Sequence, residues 1–411
     1  MEDRLRVLTV TSPPHMPLMF WIANCFCLLL GCARETPTAI AYRCGESCFL
    51  TDVISIPGER WALAGSTGSL GESDLLLLIV ESDGTPVLTR SYDYRMIDDL
   101  SSIVRLPDGG FLLAGTTSDS VFVNSIILLR TDSLGNPLST RLWSEMSYQH
   151  IGRIIPVSDG YIVIGAAGFL MDTEALLIKL SLDFSLQWSR ILHVGRNSWI
   201  RDGLTVVDEG VLIVAGSRGS DGQEAFAACL DSSGSIRWLT PLDAVYSSTG
   251  QAIQPAGDES WIVLAGVSPP GNHDLFLQKI GSDGSVEQSL QFGASSLIEF
   301  SKVLIGLPDG LLIAGNRFNA SQTESSVLLA GFDDDLALMW QREYKPGRYA
   351  SIEGGCMAPD GSLALAGNVS MPTDVFPKGA GLLIITDDVK YLPEEIVEIQ
   401  LVTEYSILEI D

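Results

Sequence analysis

The hydrophobic pattern of this chain repeats, because an apolar run that ends in a glycine recurs along its length. The runs are RWALAGS, GFLLAGT, GYIVIGA, GVLIVAGS, SWIVLAGV, GLLIAGN and SLALAGN. Their glycines, which we call the marker glycines, recur every 49 to 52 residues: Gly65, Gly115, Gly165, Gly216, Gly266, Gly315 and Gly367. Short apolar runs bounded by turn residues predict β-strands.

Each repeat can be divided into four strands, which we call a, b, c and d. In the second repeat they are Leu100 to Leu106, Phe111 to Thr116, Ser125 to Arg130, and a strand that ends near Trp143. Strands b and c are nearly continuous runs of Leu, Ile, Val and Ala, which favours burial on both faces. A period near 50 residues with several strands per unit predicts a β-propeller in which each repeat is one blade.

Residue spacing also predicts how the ring closes. Tyr42 precedes Gly65 by 23 residues, the spacing at which a strand d precedes the next marker glycine, and Ala39 to Arg43 therefore reads as an isolated strand d. The last repeat ends in a strand c, Gly381 to Thr386. We expect an all-β, seven-bladed β-propeller of four-stranded blades, with the N-terminal strand closing the last blade and removing free edges.

We expect residues 33–388 to form the propeller and residues 1–32 to be a signal peptide. The apolar stretch Met19 to Leu30 has the length of a signal-peptide core and is too short to span a bilayer as a helix. Residues 389–411 form an acidic C-terminal extension, interpreted as an added edge strand, a packed extension or a partner-binding tail.

The end of the predicted signal peptide, Leu-Leu-Gly-Cys, resembles a bacterial lipobox. The resemblance implies that Cys32 is lipidated and anchors the chain, and Ala33 after it implies the outer membrane in a Gram-negative host. Ordinary cleavage with free secretion and an uncleaved anchor stay open as alternatives, as does the choice between the periplasmic and the surface face.

Cysteine and histidine usage limits the covalent and metal chemistry that we expect. Beyond Cys32, the chain has cysteines at Cys44, Cys48, Cys229 and Cys356. In an oxidising compartment Cys44 and Cys48 could form a disulfide, and two free thiols are the alternative. The histidines are scattered and we expect no metal site.

Charge and motif content narrow the function classes. The chain has 25 Lys and Arg against 51 Asp and Glu, a net charge of −26, which disfavours nucleic acid as a partner. The sequence contains no Gly-x-Ser-x-Gly, HExxH or Walker motif. We therefore expect no catalysis and no cofactor, and an enzyme that uses a quinone or metal is the least favoured alternative.

Aromatic and basic residues concentrate in the d-to-a connections, which share one face of a propeller. We predict a binding surface there, formed by Tyr94, Arg95, Tyr148, His150, Arg196, Trp199, Tyr246, Phe300, Lys302, Arg348 and Tyr349. Aromatic residues and arginine are enriched at protein interfaces. In the competing interpretation, the aromatics cap the blades and the arginines pair with acidic neighbours, namely Asp98, Asp99, Asp202 or Glu299.

The repeats resemble those of bacterial secreted proteins and lipoproteins with β-propeller folds. LPDGGFLLAGTT followed by IILLRTDSLGNPL carries this resemblance, and the segment Asp231 to Trp238 is more distantly similar to quinoprotein-like propellers. The resemblance implies a propeller and export, with no reaction attached. We predict a lipid-anchored scaffold of the bacterial cell envelope that binds an envelope protein, with a carbohydrate or peptidoglycan binder as the alternative.

Overall fold

The computed structural model describes most of the chain between residue 38 and residue 386. The described residues are 38–44, 46–69, 71–120, 123–144, 146–169, 172–206, 211–219, 223–257, 259–293, 298–319, 321–370, 379–386, 399–403 and 408–410. The predicted signal peptide and its lipidation site Cys32 lie outside them. None of the described residues belongs to a helix long and apolar enough to cross a membrane.

The described residues form thirty β-strands. The first ones are β1 (Thr38–Arg43), β2 (Ser47–Ile56), β3 (Arg60–Ser69), β4 (Glu72–Glu81), β5 (Pro86–Tyr92), β6 (Ile97–Arg105), β7 (Phe111–Ser120), β8 (Val123–Thr131) and β9 (Pro137–Trp143). The middle of the chain contains β10 (Tyr148–Val157), β11 (Gly160–Phe169), β12 (Asp172–Ser181), β13 (Leu186–Leu192), β14 (Trp199–Val206), β15 (Val211–Arg218), β16 (Glu224–Leu230) and β17 (Ile236–Pro241).

The remaining strands continue the same alternation of strands and turns. They are β18 (Ser248–Pro255), β19 (Trp261–Val267), β20 (Asp274–Ile280), β21 (Val286–Phe292), β22 (Ile298–Leu307), β23 (Gly310–Phe318), β24 (Ser325–Phe332), β25 (Leu338–Tyr344), β26 (Tyr349–Met357), β27 (Leu363–Ser370), β28 (Ala380–Thr386), β29 (Ile399–Thr403) and β30 (Leu408–Ile410).

Hydrogen bonds join the described strands into six sheets arranged as a β-propeller. Four sheets are antiparallel meanders of four strands, β10 to β13, β14 to β17, β18 to β21 and β22 to β25. A fifth has the order β26-β27-β28-β1, with β29 added in parallel beside β1. The sixth is nine-stranded and contains β2 to β9 with β30. The all-β class is confirmed, but the prediction of seven four-stranded blades is wrong, since the described strands form only five separate four-stranded blades, one of them extended by β29.

The nine-stranded sheet shows why the sequence repeat does not predict the number of separate sheets. Its strands β2 to β5 and β6 to β9 are two meanders, which a parallel pairing of β4 with β6 at Ser73 and Ile97 joins into one sheet. The backbone N–H of Ser73 donates to the carbonyl of Met96 at 3.1 Å. The repeat predicts antiparallel pairing within a unit, whereas this contact depends on how closely two units approach in space.

The first and last parts of the propeller meet through β1. This strand pairs antiparallel with β28, from Thr38 opposite Ile385 to Tyr42 opposite Gly381. The pairing of the N-terminal strand with the last repeat is thus the one that the spacing of Tyr42 predicted. In the C-terminal extension, β29 runs parallel to β1 and β30 runs parallel to β5.

The hydrophobic core lies between successive meanders, because strands b and c bury both faces. Within β4 the side chains from Leu75 to Val80 are all buried. The two meanders of the nine-stranded sheet pack against each other through Leu77, Tyr92, Ile103 and Leu113. Burial of this kind is the main favourable contribution to folding and makes the meanders a rigid support for the inner strands.

Candidate binding channel and loop face

The first strand of each meander faces a central channel with a volume of about 620 Å³. These inner strands are β2, β6, β10, β14, β18, β22 and β26. Each contains a β-bulge, where the pairing with the next strand shifts by one residue. The residues at the bulges line the channel, and we call them the bulge ring: Thr51, Ser101, Gly152, Arg201, Gln251, Lys302 and Glu353.

The marker glycines explain where the bulges occur. In six of the seven repeats the marker glycine lies opposite the residue that precedes the bulge, as Gly65 does opposite Leu50. A Cβ atom at Gly65 would lie 1.9 Å from the carbonyl oxygen of Phe49, and one at Gly165 would lie 1.9 Å from that of His150. Only glycine permits this close approach of two strands.

One repeat departs from this rule. In the sheet of β18 to β21, Gly250 precedes the bulge and lies opposite Ala265, one residue away from the marker glycine. A Cβ atom at the marker Gly266 would instead meet the ring of His273 at 2.6 Å. Glycine at that position therefore leaves room for the His273 side chain and has no direct part in the bulge.

One side of the channel mouth is rich in cations. Lys302 forms an ion pair with Glu353. Arg201 has no ion pair among the described residues, and its Nε atom is buried without a hydrogen-bond partner. Gln251 lies between Arg201 and Lys302 in the bulge ring, and its Oε1 atom is also buried without a hydrogen-bond partner.

His150 lies on this cationic side, two residues before the bulge residue Gly152. Burial, together with the positive charges of Arg201 and Lys302, lowers the pKa of His150 to about 4. Each of these factors penalises the imidazolium form. His150 is therefore neutral at neutral pH and can donate one ring N–H to a ligand or accept one hydrogen bond.

Arg153 and two carboxylates form a second group of charges in the channel wall. The Nη1 atom of Arg153 lies 2.7 Å from Oδ1 of Asp202, and the carboxylates of Asp202 and Asp52 raise the pKa of the guanidinium although the side chain is partly buried. Asp202 also accepts the backbone N–H of Ile253 at 3.0 Å, and Asp52 accepts that of Ile103 at 3.0 Å. These acids tie neighbouring meanders together, which is a structural role.

Burial raises the pKa of the Asp52 carboxyl, although Arg153 and two backbone N–H groups act in the opposite direction. The charge of Arg153 and the two backbone N–H groups thus favour the ionised form of the Asp52 carboxyl. Removal of Arg153 would leave the Asp52 and Asp202 carboxylates poorly compensated in the channel wall.

The predicted binding residues lie on the face where the inner strands begin, which we call the loop face. Tyr148, Trp199, Phe300 and Tyr349 occupy the first three residues of their inner strands. The connections before the inner strands contain the loop residues of the set, Tyr94, Arg95, Arg196, Tyr246 and Arg348. His150 and Lys302 line the channel. Two of the eleven predicted residues therefore line the channel, and the other nine lie around it on the loop face.

The arginines of the loop face have partners. Arg95 lies 3.5 Å from Asp119, and Arg196 lies 3.5 Å from Asp172. Arg348 donates to the carbonyl of Thr323 at 3.4 Å and lies over the ring of Tyr349. Their positive charges are thus partly neutralised, although not by the acids that the sequence suggested.

Those acids have other partners. Asp98 accepts the backbone N–H groups of Tyr94 at 2.7 Å and Arg95 at 3.2 Å, which fixes the β5-to-β6 connection. Glu299 pairs with Arg317 at 3.0 Å. Asp99 accepts the hydroxyl of Ser66 at 3.0 Å.

The loop face exposes apolar side chains as well. Val245 is 87% exposed and Phe169 is 64% exposed. The exposed large apolar side chains on this face are Phe49, Met96, Val123, Tyr148, Phe169, Val245, Tyr246 and Phe300. The opposite face exposes non-aromatic apolar side chains in its c-to-d turns and at the starts of strand d: Val87, Leu134, Leu138, Leu182, Leu186, Ile236, Val286, Leu338 and Met339. Among the described residues, the exposed aromatic side chains all lie on the loop face: Phe49, Tyr148, Phe169, Tyr246 and Phe300.

Cys44 and Cys48 lie beside the junction of β1 and β2. Both are buried free thiols that hydrogen-bond to each other, which lowers the pKa of Cys44 and raises that of Cys48. The disulfide stays a prediction. Among the described residues, no group of three or more His, Cys, Asp or Glu side chains could hold a metal ion.

Sequence reasoning missed several channel residues: Arg153, Arg201, Gln251 and Glu353. A signal was present, since each residue of the bulge ring lies 13 to 15 positions before the marker glycine of its repeat. The spacing alone could have identified the ring, but only after the bulge was known to turn this position toward the channel.

No protein-family profile and no curated protein match the chain. Among solved structures, it is similar to a protein of unknown function from Bacteroides caccae, with 10% identity over 62% of this chain and 83% of the other, and a TM-score of 0.40. It is also similar to Sqt1 from Chaetomium thermophilum, with 12% identity over 86% of this chain and 98% of the other, and a TM-score of 0.49. Membership in the repeat family that the sequence resembles stays a prediction.

Proposed function

We propose that this chain is a lipid-anchored propeller of the bacterial cell envelope, which acts as a non-catalytic scaffold and binds an envelope protein through its loop face. The observation that carries the proposal is the set of exposed aromatic side chains on that face. Aromatic residues are enriched at protein interfaces. The rigid sheets beneath hold the loops in place, as in other scaffolds that present binding loops.

The loop arginines support a protein partner as well. Arg95, Arg196 and Arg348 lie in an otherwise acidic chain, and each already has a weak or solvent-exposed contact that a partner's carboxylate could replace. Exchange of a surface ion pair costs little. A partner with apolar side chains surrounded by acidic residues would complement this arrangement.

The test is in-cell crosslinking followed by capture of the anchored protein. A variant with Val245→Ser and Tyr246→Ser changes the loop face, and a matched variant with Leu134→Ser and Leu182→Ser changes exposed apolar residues in c-to-d turns. We expect the parent and the matched variant to capture the same envelope protein. The loop-face variant should bind it at least about tenfold more weakly. Equal capture by all three proteins would refute the proposal.

A glycan is the second candidate partner, because Trp199 at the start of β14 on the loop face has a buried Nε1 atom without a hydrogen-bond partner. A sugar hydroxyl could accept this N–H while aromatic rings stack on the sugar. Binding on a glycan array that disappears in Trp199→Ala, without capture of any protein, would assign the loop face to carbohydrate.

The proposed anchor has its own test. We expect Cys32→Ser to abolish incorporation of a labelled fatty acid and to release the chain from the membrane fraction. Unchanged membrane association of this variant would contradict lipid anchoring and would leave the loop-face proposal to be judged on the capture experiment.

A further inference from the structure

The charges of the channel fall into two groups. One residue past the bulge ring along the inner strands, Arg153 is compensated by two carboxylates, Asp202 and Asp52. In the bulge ring, Arg201 and Lys302 face one acid, Glu353, which pairs with Lys302. The bulge ring thus has one positive charge in excess, in a chain whose net charge is −26.

The excess charge belongs to Arg201. Its guanidinium forms no ion pair within the described part of the chain, and its Nε–H is buried without an acceptor. Burial lowers the pKa of Arg201 and the nearby Glu353 raises it, but the group remains charged. A buried N–H without an acceptor carries a larger free-energy penalty when it belongs to a charged group than when it belongs to a neutral one. A ligand that supplies an acceptor would therefore bind favourably here.

The neighbours of Arg201 favour one anionic group and additional polar atoms. His150 is neutral and offers a ring N–H without adding charge. Gln251 lacks a partner for Oε1 and can accept a hydroxyl hydrogen. The cavity of about 620 Å³ falls in the range of small-molecule sites.

We propose that the channel binds a small hydroxylated carboxylate, whose single negative charge is held by the Arg201 guanidinium. The planar guanidinium matches a carboxylate in a bidentate arrangement. A doubly charged phosphate fits less well, because Glu353, Asp202 and Asp52 also line the channel. This site lies within the channel and does not depend on the proposed partner of the loop face.

The test is saturation-transfer NMR of the purified chain with two carboxylate probes, D-glucuronate and acetate. D-glucose serves as the neutral counterpart and sulfate as the dianion, all at equal ionic strength. We expect transfer to the carboxylates, with D-glucuronate bound more tightly than acetate, and none to glucose. Titrated sulfate should displace D-glucuronate only weakly.

Variants connect the signal to the channel. We expect Arg201→Gln to weaken D-glucuronate binding at least about tenfold, and Arg201→Lys, which keeps the charge without the planar group, to weaken it less. Arg60→Gln, on the opposite face and outside the channel, is the matched control and should bind as the parent does. Circular dichroism establishes that each variant is folded.

Two results would overturn the proposal. The first is the absence of transfer to either carboxylate in the parent, or equal transfer in folded Arg201→Gln. The second is displacement by sulfate at concentrations as low as those of D-glucuronate itself, which would indicate a general anion site. Neither result bears on capture of a protein by the loop face.

Discussion

The marker glycines and the bulge ring repeat with the same period, but they differ in how far their residue types vary. Every repeat has glycine at the marker position, because a Cβ atom there would overlap another group. The bulge ring contains seven different residues in its seven positions, from Gly152 to Arg201. The fold therefore restricts the backbone frame around the channel and leaves the chemistry of the channel free to vary.

The largest expected effect comes from a change to the frame. In Gly165→Ala the new Cβ atom would lie 1.9 Å from the carbonyl oxygen of His150, so the bulge cannot form without displacing β10. We expect the free energy of unfolding to fall by about 3 kcal/mol or more, measured by chemical denaturation.

The matched control for that variant is Gly306→Ala, which lies on another inner strand, β22. A Cβ atom at Gly306 meets no atom within 4 Å. We expect a change of less than about 1 kcal/mol. Equal destabilisation by the two substitutions would show that the marker position has no special geometric requirement.

Substitution of a channel carboxylate that links two meanders should have the next largest effect. Asp202→Ala removes the partner of Arg153 and the acceptor for the N–H of Ile253. We expect a loss of about 2 kcal/mol of unfolding free energy. Asp202→Asn keeps an acceptor for Ile253 and should lose less, and the reverse order would show that the wall does not depend on that backbone hydrogen bond.

A pH-dependent effect is expected at His150. Its folded-state pKa of about 4 lies below the ordinary value of 6.5, so between these values the unfolded chain binds more protons than the folded one. Stability should therefore decrease as the pH falls from about 6.5 to about 4.

The control for this prediction is His150→Gln, which cannot titrate. The variant should lose part of the acid sensitivity, measured as the difference in unfolding free energy between neutral and acidic pH. An unchanged difference would mean that His150 is not kept neutral by its surroundings.

The smallest expected effect comes from a change within the bulge ring alone. Ser101→Ala removes a hydroxyl that lines the channel and leaves the bulge of β6 intact. We expect a change of less than about 0.5 kcal/mol in unfolding free energy. A larger loss would show that the bulge ring contributes to the frame, and the contrast with the marker glycines would fail.

Much of the frame follows from local sequence. The apolar runs predict strands b and c, the turns rich in Asp and Gly predict the hairpins, and the spacing of Tyr42 predicts the pairing of β1 with β28. These features depend on contacts within one repeat or on an exact period. The same reasoning assigned His150 and Lys302 to the d-to-a connections, whereas both lie within inner strands and line the channel.

The sequence by itself determined an all-β repeat fold and the pairing of the N-terminal strand with the last repeat, because both depend on periodicity along the chain. Only the tertiary structure decided that β4 and β6 share a sheet, that Arg153 is compensated by Asp202 and Asp52, and that Arg201 is not compensated. The residues that make these contacts are about 25 to 100 positions apart in the sequence. Their contacts arise when separate meanders pack around one channel, which no local pattern specifies.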